Sequence, residues 1–295
     1  MTPDEAFRIC GEIAAKHYEN FPVASLFLPE ERRPYIQAIY AFSRMADDFA
    51  DEPGMVGAER IARLRDWELM LEECYQGRAE HPVFVALGET VRKNRIPIGL
   101  LKDLLAAFTR DVRQNRYETY DELLDYCRCS ANPIGRLVLM VFGHADERLF
   151  ALSDRICTAL QLTNFWQDIF VDLEKDRLYL PLEEMRRFGY TPGMWKNGET
   201  GPPFRELMAF QVERTKALFY DGAELPELVE KDLQVELKLV WLGGMSILDR
   251  ISKRGVTPAR RPSIGGPGKL IILLRALTIR RLGSYRRKKK PWDLT

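Results

Sequence analysis

Asp47 and Asp51 stand four residues apart in the stretch Arg44-Met45-Ala46-Asp47-Asp48-Phe49-Ala50-Asp51-Glu52. On a helix that spacing puts both carboxylates on one face, one turn from each other. Asn164, Asp168 and Asp172 repeat the spacing 117 positions later, inside the apolar and aromatic run Gln161-Leu162-Thr163-Asn164-Phe165-Trp166-Gln167-Asp168-Ile169-Phe170-Val171-Asp172. Like charges one turn apart repel, so something must offset them. A single such pair is usually a solvated helix face. The second stripe lies within an apolar helix, where carboxylates are rare unless paired or metal-bound. Two stripes of this kind predict the facing walls of one site. The chemistry that uses them is divalent-metal binding to a diphosphate, because Mg²⁺ takes oxygen ligands from a few carboxylates and from substrate phosphates. Carboxylates alone would repel such a substrate, so cations must stand nearby. Arg44, Lys175 and Arg177 are placed in sequence to supply them.

The elements that must hold these residues read as helices. Thr2-Pro3-Asp4-Glu5 is a helix start, with Thr2 as N-cap, Pro3 at the first position and Glu5 closing a capping box. Pro34 to Asp51 has apolar residues at helical spacing, and the texture recurs through 59–75, 98–113, 120–142, 149–173, 204–218 and 225–251. Proline and glycine fall mainly between these blocks, and no alternating β run with a hairpin turn occurs. The expected fold is all-α, with a main helical domain over 1–268 and a basic helix or tail over 269–295.

The 295 residues are 46% apolar and 29% charged, an ordinary globular composition. Five cysteines, with no C-x-x-C pair among them, exclude a disulfide scaffold and predict a reducing, cytoplasmic setting. The first residues have no secretory-signal pattern, and no apolar run approaches the ~20 residues that span a bilayer. The net charge of +1 conceals an asymmetry. Arg250 to Lys290 holds fourteen Lys and Arg and no acid, which leaves a net of −12 on residues 1–249. The basic stretch lacks the aromatic interleaving of single-strand binders, so nucleic acid is not expected. Its apolar segment flanked by cations fits peripheral contact with an anionic membrane face, and equally a core helix followed by a solvated tail.

With these residues in view, the sequence resembles the squalene/phytoene synthase family. The resemblance rests on Tyr40 to Asp51, on Tyr126-Cys127 with Ala131 and Gly135, and on Gln161 to Pro181, and it extends over roughly His17 to Ile251. Within the family, 17–25, 126–136 and 164–168 look like the hydroxysqualene synthase branch. The resemblance implies an isoprenoid-synthase helical fold around a central apolar cavity. It also implies ionisation of presqualene diphosphate and capture of the rearranged cation by water, within squalene and hopanoid biosynthesis. Neighbouring enzymes of that pathway are then the implied partners for hand-over.

The resemblance further implies two or three Mg²⁺ ions on Asp47, Asp51, Asp168 and Asp172, supported by Asp48 and Asn164. It places Arg44, Lys175, Arg177 and Tyr179 on the diphosphate, with His17, Tyr40 and Tyr126 close by. Phe21, Ala131, Gly135 and Gln161 would line the cavity. Judged without the family, Tyr126 is equally a core tyrosine, Ala131 and Gly135 equally a close helix contact, and Asn132-Pro133 equally a kink.

Three departures matter. Family members that condense two farnesyl diphosphates usually have Arg where Gln167 stands. Arg128 and Ser130-Ala131-Asn132-Pro133 replace an aromatic residue and a Val-Ala-Gly stretch, and Gly244 occupies a late position that is often Tyr. The loss of a cation and a hydroxyl fits one diphosphate rather than two. Head-to-head condensation to presqualene diphosphate, squalene or a phytoene-type product is the alternative enzyme reading, and a membrane-docking helical adaptor is the non-enzyme one. Without a G-x-G-x-x-G after a strand, no nicotinamide site is expected. His17, His81 and His144 form no zinc pattern, and there is no Gly-x-Ser-x-Gly element.

Overall fold

The computed structural model describes residues 1–17, 28–52 and 54–282. Its chain opens with α1 (Pro3–His17), started by the expected capping box: Glu5 N–H donates to Thr2 Oγ1 at 3.3 Å and Thr2 N–H to Glu5 Oε2 at 3.4 Å. The helices that follow are α2 (Arg33–Asp51), α3 (Gly57–Tyr75), α4 (Pro82–Asn94), α5 (Ile98–Arg113), α6 (Tyr120–Ser130), α7 (Asn132–Val141) and α8 (Glu147–Asp168). The short helices α9 (Leu182–Arg187) and α10 (Pro192–Lys196) lead to α11 (Pro202–Asp221), α12 (Lys231–Arg254) and α13 (Gly266–Thr278). No strand occurs among the described residues, only the isolated bridges Arg116–Leu178 and Thr257–Arg260. The architecture is the all-α one expected.

Trp67 organises the first half of the core. Its ring lies 4.4 Å from that of Phe84, 5.4 Å from Phe49 and 6.1 Å from Phe42, joining α3 to α2 and α4. Trp166, Trp195 and Trp241 do the same in the second half, and each buried indole N–H finds an acceptor, as an amphipathic ring requires. Trp166 donates to Thr215 Oγ1 at 2.8 Å, tying α8 to α11. Trp195 donates to the Ile169 carbonyl at 2.9 Å, and Trp241 to the Phe219 carbonyl at 2.7 Å.

Three expected helices are divided. The 120–142 block breaks at Ala131, because Pro133 has no N–H for a continuous ladder and starts α7 as its second residue. Asn132 is held there by Thr158 Oγ1, which donates to its Oδ1 at 2.9 Å. The 149–173 block ends at Asp168. The Ile169 carbonyl that would continue the ladder accepts the Trp195 indole, and a 3₁₀ turn over Asp172–Lys175 follows. The 225–251 block separates into a 3₁₀ turn, Leu225–Leu228, and α12. The helices α4, α9 and α10 lie outside the blocks expected from the sequence.

Gly135 belongs to the contact of α7 with α8. A Cβ there would collide with Ser153 Oγ and lie 2.5 Å from Cys157 Sγ. Gly244 on α12 has the same role, since a Cβ would strike the Phe219 ring.

Candidate active site

The last two turns of α2 carry Arg44, Asp47, Asp48 and Asp51 on one half-buried face. Arg44 donates to Asp48 Oδ1 at 2.5 Å and to Asp47 Oδ2 at 3.4 Å, which offsets the repulsion among the three acids. Asp51 looks across to the chain after α8. Lys175 Nζ donates to its Oδ2 at 2.6 Å and Arg177 Nη2 to its Oδ1 at 2.7 Å. The two acidic stretches therefore meet, joined by the cations that follow the second one.

A clasp behind the site aims those cations. Asp176 adopts a left-handed conformation (φ 50°), which Asp tolerates better than most residues, and this reverses the chain after the 3₁₀ turn. Arg116 Nη2 donates to Asp176 Oδ1 at 2.6 Å, and its guanidinium lies 5.0 Å from the Trp195 ring. The Leu178 N–H donates to the Asn115 carbonyl at 3.0 Å and the Arg177 N–H to the Asp172 carbonyl at 2.9 Å. Between these fixed points Lys175 and Arg177 project toward Asp51.

The second stripe is not a single helical face. Asn164 is exposed, Asp168 is the last residue of α8, and Asp172 opens the 3₁₀ turn. Asp168 is gripped by Arg261, whose Nη2 lies 2.9 Å from Oδ2 and whose Nε also bonds Oδ1. The Gln167 amide is buried and donates to the Pro262 carbonyl at 2.5 Å, fixing the segment that carries Arg261. Beside it Arg250, Arg254, Arg260 and Arg261 line a pocket of about 190 Å³.

Two participants escaped the sequence reading. One is Arg261, whose Arg250–Lys290 stretch suggests membrane contact or a core helix with a solvated tail, not a part of the site. The other is Asp111 on α5, whose Oδ2 accepts the Tyr126 hydroxyl at 2.9 Å and whose Oδ1 is enclosed without a hydrogen-bond partner. Nothing in the pattern around Asp111 distinguishes it from a helix-surface acid. Beneath the carboxylates, Phe165 and Tyr179 stack with ring centroids 3.7 Å apart, and Tyr126 lies 6.0 Å from each. Tyr117 stacks on Tyr179 at 5.7 Å. Tyr40, half-buried, feels the charges of Arg44, Asp47 and Asp48. Of the expected cavity residues, Gln161 is half-buried, while Ala131 and Gly135 sit where helices meet. Phe21 and the His17 side chain lie outside the described residues.

The electrostatics test whether a hard dication fits. Burial and the neighbouring Asp168 push Asp172 up to about 7, against the pull of Arg177 and Lys175. Burial lifts Asp111 to about 6, with Asp51 and Asp47 adding to the rise and Tyr126 and Arg177 opposing it. Burial and Asp51 raise Asp47 as well. Asp51 goes the other way: burial alone would raise it, but its bonds to Lys175 and Arg177 leave it lowered. Crowded oxygen donors that resist ionisation, one with an unpartnered buried oxygen, fit Mg²⁺. Among the described residues no three acidic, His or Cys side chains are drawn into a finished ligand set, and Asp51 and Asp168 are held by cations instead.

A pH dependence follows. A carboxyl that titrates higher in the folded than in the unfolded chain keeps its proton over the interval between the two values. Stability contributed by Asp172 and Asp111 therefore falls as pH rises from about 4 to about 7. Mg²⁺ needs these groups ionised, so the gain in melting temperature on adding it should grow from about pH 5.5 to about pH 8. A thermal-shift series across that range checks this, and a gain independent of pH would exclude these carboxylates as the ligands.

The sequence model of the squalene/phytoene synthase family matches residues 14–266. The hydroxysqualene synthase of Zymomonas mobilis is 36% identical over 240 residues, 80% of this chain and 79% of that one. The phytoene synthase of Arthrospira platensis is 30% identical over 265 residues, 85% of each chain. Among solved structures, squalene synthase HpnC from Alicyclobacillus acidocaldarius superposes with a TM-score of 0.82 at 40% identity, covering 86% of this chain and 95% of that one. A dehydrosqualene synthase in complex with ligand shares the fold with a TM-score of 0.84 at 24% identity, over 94% and 96% of the two chains.

Proposed function

The chain belongs to the squalene/phytoene synthase family, and from that premise we propose that it is a hydroxysqualene synthase: it ionises presqualene diphosphate and adds water to the rearranged cation. The observation that carries this finer reading is Gln167. Where condensing members usually have a cation, this chain has a neutral amide turned onto the Pro262 carbonyl, and Asp168 beside it is paired with Arg261. The 36% identity to the hydroxysqualene synthase of Zymomonas mobilis supports the same branch.

Asp47, Asp51, Asp168 and Asp172 would hold Mg²⁺, with Asp48, Asn164 and Asp111 in support. Bound there, the metal supplies Lewis-acid stabilisation of the charge on the departing diphosphate. Arg44, Lys175, Arg177 and Arg261 neutralise the remaining charge from several sides as the C–O bond breaks and the diphosphate leaves with the electron pair. The cyclopropylcarbinyl cation that remains faces aromatic rings, whose π faces stabilise positive charge and cannot trap it as nucleophiles would. Tyr126 is oriented by the bond its hydroxyl donates to Asp111. Water forms the new C–O bond and gives up a proton, so the products are an alcohol, diphosphate and a proton.

Incubation with presqualene diphosphate, Mg²⁺ and ¹⁸O-labelled water, followed by mass analysis, tests the proposal. Label is expected in a C30 alcohol. An unlabelled hydrocarbon would overturn the water step. Prompt diphosphate release from farnesyl diphosphate alone, with a C30 product, would favour the condensation reading.

A further inference from the structure

The α13 helix is apolar on two sides. Its inner face, with Ile272, Ala276 and Ile279, packs on the core, followed by the buried Leu282. Lys238 of α12 pins its end by donating to the Ile279 carbonyl at 2.9 Å. The outer face shows Leu270, Ile271, Leu274 and Leu277 to solvent, at 57%, 52%, 54% and 55% exposure. These residues recur at i, i+1, i+4 and i+7, so they form one continuous stripe. A helix apolar all round is normally covered on both sides, and large contiguous apolar patches mark interaction surfaces.

The charges around the stripe identify what covers it. Lys269, Arg275 and Arg280 are exposed on and just beyond this helix, and Arg281 lies 3.7 Å from Glu227. The sequence continues with five consecutive basic residues, Arg286 to Lys290, and no acid occurs between Arg250 and Lys290. We propose that the outer face of α13 docks on an anionic lipid bilayer, with its leucines at the acyl boundary and its cations at the headgroups. At thirteen residues α13 is about 20 Å long, which suits lying in the interface. No described helix is long and apolar enough to cross a membrane. The net charge of −12 on residues 1–249 would be repelled by the same lipids, which orients the molecule with α13 toward the surface. A symmetric contact with a second copy fits less well, because it would bring two like-charged sets of cations together.

Vesicle flotation of the full chain tests this, using phosphatidylglycerol and phosphatidylcholine in equal parts against phosphatidylcholine alone. Flotation is expected with the anionic vesicles, and at least tenfold weaker partitioning with the neutral ones. Leu274→Gln combined with Leu277→Gln leaves the charge unchanged and should weaken partitioning about tenfold or more, without moving the melting temperature. Leu270→Glu with Leu274→Glu, which adds repulsion, should abolish it. Absence of flotation with anionic vesicles would overturn the proposal. So would full flotation of the glutamine variant, or a wild-type oligomer that the glutamine variant dissolves.

Discussion

Replacing Asp168 with Ala is expected to slow diphosphate release from presqualene diphosphate by about a thousandfold or more and to leave the fold intact. Asp168 ends α8, and its side chain is 23% exposed against an Arg261 that is 48% exposed. An ion pair that open to solvent contributes at most about 1 kcal/mol, so little stability depends on it. In the proposed site it is instead one of four carboxylates that would bind Mg²⁺ around the leaving group. A thousandfold loss corresponds to about 4 kcal/mol of transition-state stabilisation, within what one electrostatic contact at developing charge supplies. Asp154 provides the control. It grips Arg136 with the same two-pronged geometry, at 2.6 and 3.0 Å, about 21 Å earlier along the same helix. Asp154→Ala should leave turnover unchanged. Single-turnover rates and melting temperatures of both variants decide the matter, and an active Asp168→Ala enzyme would remove the second stripe from the site.

Much of the candidate site is legible in the sequence, for a physical reason. Carboxylates at i and i+4 within apolar helices are costly, so their presence at Asp47, Asp51 and Asp168 pointed to a compensating ligand. Arg44, Lys175 and Arg177 were legible by the same logic of compensation, and all three do contact the first stripe's acids. Other parts depended on the folded chain. Helix periodicity continues smoothly past Asp168, and only the distant Trp195 indole reveals why the ladder ends there. Asp111 lacks any local signature, because its importance comes from being enclosed beside Tyr126 and Arg177. Arg261 is hidden by its neighbours: within fourteen basic residues its charge does not stand out, whereas the Gln167–Pro262 bond turns that segment onto the site. Gly135 shows the converse. Its spacing from Ala131 matched both a cavity wall and a close helix contact, and the contact with Ser153 and Cys157 is what the fold uses it for.

Arg177 offers the sharpest test of how these charges are balanced. Its side chain is only 15% exposed, it bonds Asp51 at 2.7 Å, and its field reaches Asp111, Asp172 and Tyr179. Arg177→Gln should therefore cost about 3 kcal/mol or more at neutral pH, because three crowded carboxylates lose an enclosed cation. Lys175, 56% exposed, bonds the same Asp51, yet Lys175→Gln should cost under about 1 kcal/mol. If repulsion among the acids is the cause, two conditions should restore much of the loss in the Arg177 variant. Lowering the pH to about 5 protonates Asp172 and Asp111, which already titrate near 7 and 6. Adding Mg²⁺ replaces the missing positive charge among the same oxygens. Urea melts at two pH values, with and without Mg²⁺, measure both effects. A deficit unmoved by either would mean that Arg177 stabilises the chain by packing, and that the acids around it do not act as one charged cluster.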